Sequence, residues 1–221
     1  AGVSNTNFQY TCLYSVRFPS LLSGPQQALR RVTTSDKEVL FSMVNTAPVN
    51  LGNKHVKGLI TGSKLGIFSY YHRSDNEPFD FPTHRYMVDK SGNILRHPSV
   101  SASVCAYPDL KKGITHIISG GEGAVYFYRF TGTFTKAGDP IFEEPVPVLQ
   151  RNAELYAGTL PSPSSIDWDG DGIIDLVVGN SEGFVLFFKN IGDNNIPAFL
   201  PGERVKAGDR EIQVQAGYSG S

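Results

Sequence analysis

The chain has 221 residues, a formal net charge of −1, and is rich in Phe (14), Tyr (10), Gly (23) and Pro (14). With no basic stripe it lacks the electrostatic footprint that phosphate backbones demand, which excludes nucleic acid as the expected partner. No apolar stretch is long enough to cross a bilayer, no basic-plus-apolar leader opens the sequence, and Cys12 and Cys105 are too few for a disulfide scaffold or a cysteine zinc site.

Taken in chain order, the first strand-like segments are Phe8 to Phe18 and Glu38 to Val44. The short run Gln26 to Arg31 after Gly24-Pro25 is the best helix candidate and is too brief to form one alone. Three self-similar segments follow, at 58–71, 115–128 and 175–188. Each is an apolar strand, a five-residue turn ending in Gly66, Gly123 or Gly183, and a second strand rich in aromatic and β-branched residues. Aligned on those glycines, Gly62, Ser119 and Gly179 are equivalent, giving repeats of 57 (119 − 62) and 60 (179 − 119) residues. A Pro-x-Phe follows the later hairpins, at Pro140-Ile-Phe142 and Pro197-Ala-Phe199, and Phe79-Asp-Phe81 falls near the matching place after the first. Both cysteines sit in apolar strand-like contexts and read as small buried hydrophobes, a single disulfide across two repeats being the alternative.

The third repeat carries the strongest chemical signal. Asp167-Trp168-Asp169-Gly170-Asp171-Gly172-Ile173-Ile174-Asp175 runs directly into the apolar strand Leu176-Val177-Val178. Carboxylates at positions 1, 3, 5 and 9, with a carbonyl at 7, can surround a hard cation with oxygen, and Gly172 permits the sharp turn. An EF-hand shares this opening, but its twelfth position is a bidentate Glu between helices, whereas here it is Val178 inside a β-rich run.

This pattern, continued through Gly179-Asn180-Ser181-Glu182-Gly183 to Phe188, resembles the FG-GAP or VCBS repeat of integrin-α-like β-propellers from secreted bacterial proteins. The resemblance implies an all-β fold of four-stranded antiparallel blades, with a Ca2+ ion held structurally by Asp167, Asp169, Asp171, Asp175 and the Ile173 carbonyl. Carried back through the same register, the metal positions become Tyr107, Asp109, Lys111 and Thr115 in the middle repeat and Asn50, Gly52, Lys54 and Gly58 in the first. One calcium site is therefore expected. Lys54 and Lys111 either replace the cation internally or are ordinary exposed lysines.

Three repeats fall short of a closed ring, so residues 1–221 are expected to form a single partial propeller, about half of a seven- or eight-bladed one, with a closed four-bladed ring as the alternative. The resemblance implies a secreted, periplasmic or cell-surface protein that binds or helps process a polysaccharide or oligosaccharide. Tyr107, Tyr156 and Tyr218 are candidates for stacking on sugar rings and Arg151, Asn152, Asn180 and Glu182 for bonding hydroxyls; Trp168 can stack or pack against a neighbouring blade. If the protein is an enzyme, a polysaccharide lyase or glycoside hydrolase is implied, with His72 and His84, beside Arg73 and Arg85, as the weak catalytic candidates. His55 and His116 read as structural hydrogen-bonders near the decayed loops. Protein adhesion, or pairing with the remainder of the same propeller, is the third reading.

Overall fold

Strand and turn account for all regular structure among the described residues of the computed structural model, which comprise 43–52, 57–151 and 153–214 with short segments at 2–3, 9–11, 14–15, 30–34 and 40–41. The candidate helix at 26–31 lies mostly outside them, and Arg30–Arg31 is a strand paired with Tyr14–Ser15. Cys12, Lys54, His55, Asn152 and Tyr218 also lie outside the described residues.

Three four-stranded antiparallel sheets are built in succession, each with its strands side by side in chain order. Sheet I comprises Met43–Asn50, Lys57–Ser63, Phe68–His72 and Thr83–Tyr86. Sheet II comprises Ser103–Asp109, Ile114–Gly120, Val125–Tyr128 and Val146–Pro147. Sheet III comprises Ser162–Ile166, Asp175–Gly179, Val185–Phe188 and Glu203–Arg204.

Successive sheets meet along their first strands. Asn45 of sheet I donates from Nδ2 to the Val104 carbonyl at 3.0 Å and accepts the Val104 amide at 2.7 Å. Ser103 of sheet II donates to the Pro161 carbonyl at 2.7 Å, and Ser165 of sheet III donates back to the Ala106 carbonyl. Side chains alternate across each strand, so a middle sheet must bury both faces. Sheet II does so: Ile117 and Tyr128 pack with Ile60, Phe68 and Tyr70 of sheet I, while Ile118 and Phe127 pack with Leu176, Val178 and Phe188 of sheet III. This double burial explains why 114–120 is buried at every position, its polar Thr115, His116 and Ser119 included. Cys105 belongs to the second core as a free thiol, and burial pushes its pKa up to about 11, which removes it as a nucleophile.

The Pro-x-Phe repeat joins one sheet to the next. Phe81 pairs in parallel with Thr34, Ile141 with Val88, and Phe199 with Gln150. In each case the segment between the third and fourth strands of one sheet is bridged to a segment that precedes that sheet in the chain. The three phenylalanines, Phe81, Phe142 and Phe199, are buried in three successive cores.

The register differs from the alignment on turn glycines. Gly62 pairs with Phe68 and Gly179 with Val185, each across five residues, but the middle hairpin closes Gly120 on Val125 across four. Its turn is one residue shorter, so aligning Gly123 with Gly66 and Gly183 displaces the preceding strand by one. Gly120, not Ser119, matches Gly62 and Gly179, and the true spacings are 58 (120 − 62) and 59 (179 − 120). This correction reassigns the middle metal loop.

Candidate metal centre and ligand cavity

Eight residues separate the pair Ile166↔Asp175 in sheet III, and eight separate the equivalent pairs Tyr107↔His116 and Val49↔Gly58. The three loops have one length, and the corrected register places Pro108, Leu110, Lys112 and His116 where the third repeat has its aspartates. Tyr107, Asp109, Lys111 and Thr115 are each one place away from those positions. Middle-loop chemistry follows from this. Asp109 accepts the backbone amides of Lys111 and Lys112, both at 3.0 Å, and it is the Lys112 ammonium, at 3.6 Å, that faces its carboxylate.

In the third loop Asp167, Asp169 and Asp171 converge, with one carboxylate oxygen from each lying within 4.8 Å of the others. Backbone donors set this arrangement. Asp167 accepts Gly170 N at 2.8 Å and Gly172 N at 3.0 Å, and Asp171 accepts Ile173 N at 2.8 Å. Gly170 and Gly172 hold φ of 77° and 82°, a left-handed backbone that glycine adopts without steric cost. The Lys189 ammonium lies against Asp169 and Asp171, and its hydrogen bond is the chief reason the Asp169 carboxyl is held below its ordinary range. A cluster of three hard oxygen donors that already draws an ammonium fits a hard divalent cation, so these residues could hold a metal ion.

Asp175 stands apart from that cluster. It is buried, with one oxygen accepting Asn190 N at 2.8 Å and the other Trp168 N at 3.2 Å, so it pins the loop to the strand that follows the hairpin. His116, its equivalent, does the same work without a metal loop: its Nδ1 accepts Phe130 N at 3.1 Å. The shared position is thus a structural peg. The loop has further supports that turn-forming composition alone did not single out. Asn194 accepts Ile174 N and donates to the Gly172 carbonyl, and Asn190 donates to the Ile174 carbonyl and to the Tyr107 hydroxyl.

His116 is 1% exposed, and burial lowers its pKa to about 4, with Arg129 and Lys112 adding to the effect and Asp109 opposing it. Below pH 6.5 the unfolded histidine takes a proton that the folded one refuses until about pH 4. Stability therefore falls as pH drops through that window, by about 1–2 kcal/mol at about pH 5. Denaturant titrations across the window should show the loss, with His116→Gln giving a shallower pH slope than the parent; an unchanged slope would remove His116 as its source. Lowered by burial, His97 contributes with the same sign.

The remaining site candidates divide. Tyr107 is fully buried and its hydroxyl donates to the Ile174 carbonyl at 3.2 Å, so it braces the metal loop from sheet II and does not stack on sugar. Asn180 is buried, accepting Glu182 N and Phe184 N and donating to the Ala157 carbonyl, so it shapes its turn. Trp168 is 51% exposed and packs on Phe187 of its own sheet at 5.3 Å, not on a neighbouring one. Tyr156, Arg151 and Glu182 are exposed, and Arg151 occupies a tight turn at φ 48°. His84 stacks on Tyr71 at 5.0 Å and meets Ser69 Oγ at 3.1 Å, a structural environment. His72 is half-buried, lines a small cavity of about 260 Å3 with Arg85, and has no carboxylate or second histidine beside it there.

A larger cavity of about 630 Å3 opens where the first strands meet. Thr46 and Asn50 of sheet I, Pro108 of sheet II and Ser165 of sheet III contribute to its wall, and Phe79 and Phe81 close one side. Sequence reasoning missed it because the wall is assembled from positions more than 100 residues apart (165 − 46).

No family model, no curated protein and no solved structure matches the chain. Among the described residues no helix is long and apolar enough to cross a membrane.

The Lys189 contact carries its own expectation. Its ammonium competes with a metal ion for Asp169 and Asp171, so Lys189→Ala should tighten calcium binding by about two- to fivefold, the scale of an exposed ion pair. Calcium titration by calorimetry reads this directly, and weaker binding in the variant would show that Lys189 supports the loop instead of competing for it.

Proposed function

We propose that this chain is a calcium-stabilised segment of an extracellular β-propeller, of the FG-GAP or VCBS type, that binds carbohydrate. The propeller reading is supported by three sequential four-stranded sheets that meet along their first strands and are joined by a repeated Pro-x-Phe bridge. Calcium is favoured over other hard cations because the loop offers several carboxylates on a glycine-hinged turn, which suits its all-oxygen, variable coordination. A weak calcium site suits the millimolar calcium outside cells, which supports the reading of a periplasmic, cell-surface or secreted protein.

The observation that carries the ligand reading is the 630 Å3 cavity at the meeting of the three sheets. Its volume lies in the range of small-ligand sites, and it sets flat proline and phenylalanine rings beside threonine, serine and asparagine side chains. Sugars present both apolar ring faces and hydroxyls, and such a wall answers both. A lyase or hydrolase reading has less support: His84 is held against Ser69 Oγ and the Tyr71 ring, and the small cavity that His72 lines holds no carboxylate among the described residues.

The test is a glycan array followed by calorimetry in calcium. Specific binding that Phe79→Ala or Asn50→Ala abolishes, with the melt unchanged, is the expected result. A folded protein that binds no glycan on the array would overturn the carbohydrate reading, and capture of a protein partner would then favour adhesion.

A further inference from the structure

The charge lining the cavity is one-sided. Lys57 and Arg73 contribute to its wall, and among the described residues no aspartate or glutamate does. The two are placed together by the sheet: Arg73 N donates to the Lys57 carbonyl at 3.0 Å just beyond the hairpin that joins their strands. Neither forms an ion pair with a carboxylate among the described residues, although Arg73 is half-buried. The other half-buried arginines, Arg85 and Arg129, are partnered, as is the exposed Arg204. Arg129 pairs with Glu143, Arg204 with Glu211, and Arg85 is tied to the Ala137 and His84 carbonyls.

A half-buried arginine that faces a cavity offers a guanidinium fork that matches a carboxylate in two parallel hydrogen bonds. Beside it lie the faces of Phe79, Phe81 and Pro78, which offer an apolar surface for a ring. The cavity therefore asks for a ligand with an apolar ring face and a negative charge at one edge.

From this geometry we infer that the cavity selects acidic sugars, whose carboxylate is received by Arg73 with Lys57 beside it. The inference rests on the carbohydrate reading above and narrows its substrate class. Asn50 lines the same wall, with its Nδ2 donating to the Gly113 carbonyl at 3.1 Å. Because one wall comes from each of three sheets, the carboxylate end is fixed on sheet I and the rest of the chain extends along the first strands towards Pro108 and Ser165.

Calorimetric titration with oligogalacturonate and oligomannuronate, each beside its carboxyl-reduced neutral form, tests this alongside the neutral glycans of an array. The expected result is at least tenfold tighter binding of an acidic oligomer than of its reduced form. Arg73→Gln should abolish that difference while leaving the affinity of the neutral form and the melt unchanged; Lys57→Gln should reduce it. Equal binding of acidic and reduced forms, or a preference that survives in Arg73→Gln, overturns the charge assignment and leaves the carbohydrate reading standing. Binding of neutral glycans alone has the same meaning. No binding to any sugar, acidic or neutral, overturns both.

Discussion

Removing calcium should lower the melting temperature by about 6–10 °C, and adding it back should restore the loss. A ligand that binds only the folded state stabilises in proportion to the logarithm of its concentration over its dissociation constant, so the shift should grow as calcium is raised through the millimolar range. Asp169 and Asp171 face each other across the loop with only Lys189 between them and Asp167 beside them, so without a divalent ion one cation offsets three carboxylates. Asp169→Ala should abolish most of the calcium response. Because Asp169 is exposed and holds only the Asp171 amide on the backbone, the variant itself should fold. Asp175→Ala should behave differently. Its carboxylate is buried and holds Trp168 N and Asn190 N, so its loss should destabilise the protein with or without calcium. A calcium response that survives in Asp169→Ala would sink the metal assignment, and a calcium response lost only in Asp175→Ala would move the site.

The contrast between those two aspartates marks how far sequence reasoning reached. The all-β class, the three hairpins and the convergence of Asp167, Asp169 and Asp171 were legible because each depends on local pattern: period-two alternation, turn glycines and acidic spacing. What lay beyond reach depends on partners distant in the chain. Tyr107 carries the same aromatic ring as an exposed sugar platform, and only the packing of sheet II on sheet III reveals that its hydroxyl ends on the Ile174 carbonyl. The one-residue error in register had a physical source as well. Turn glycines are the strongest local markers, but the middle hairpin's turn is shorter by one, and in a strand a one-residue displacement exchanges the two faces. It thereby moved His116 out of the peg position that Asp175 occupies. A comparison of facing rather than of glycines would have found it, since Leu59, Ile117 and Leu176 must all point towards the preceding sheet.

The same register yields the largest destabilisation expected of any single methyl group in this chain. Gly62 and Gly120 occupy equivalent places at the end of the second strand, and each lies under the backbone leading into the next sheet. A Cβ on Gly62 would sit 2.1 Å from the Ala102 carbonyl oxygen, and one on Gly120 would sit 2.1 Å from that of Pro161. Neither obstacle is a side chain that can turn aside. Each carbonyl belongs to the segment entering the next first strand, and Pro161 O is also the acceptor for Ser103. Relieving the clash requires one sheet to move away from the next, which opens the core between them as well as the Ser103 bond. Gly120→Ala should therefore cost more than about 4 kcal/mol, the range reserved for substitutions that break packing outright. Gly62→Ala should cost a similar amount by parting sheets I and II. The exposed Lys136→Ala is the control and should change stability by less than about 0.5 kcal/mol. Denaturant unfolding of the three variants measures this, and a loss near 1 kcal/mol in Gly120→Ala would mean that the sheets can part without cost. That outcome would count against the propeller proposed above, which expects this close approach, seen between sheets I and II and between sheets II and III, to recur from blade to blade.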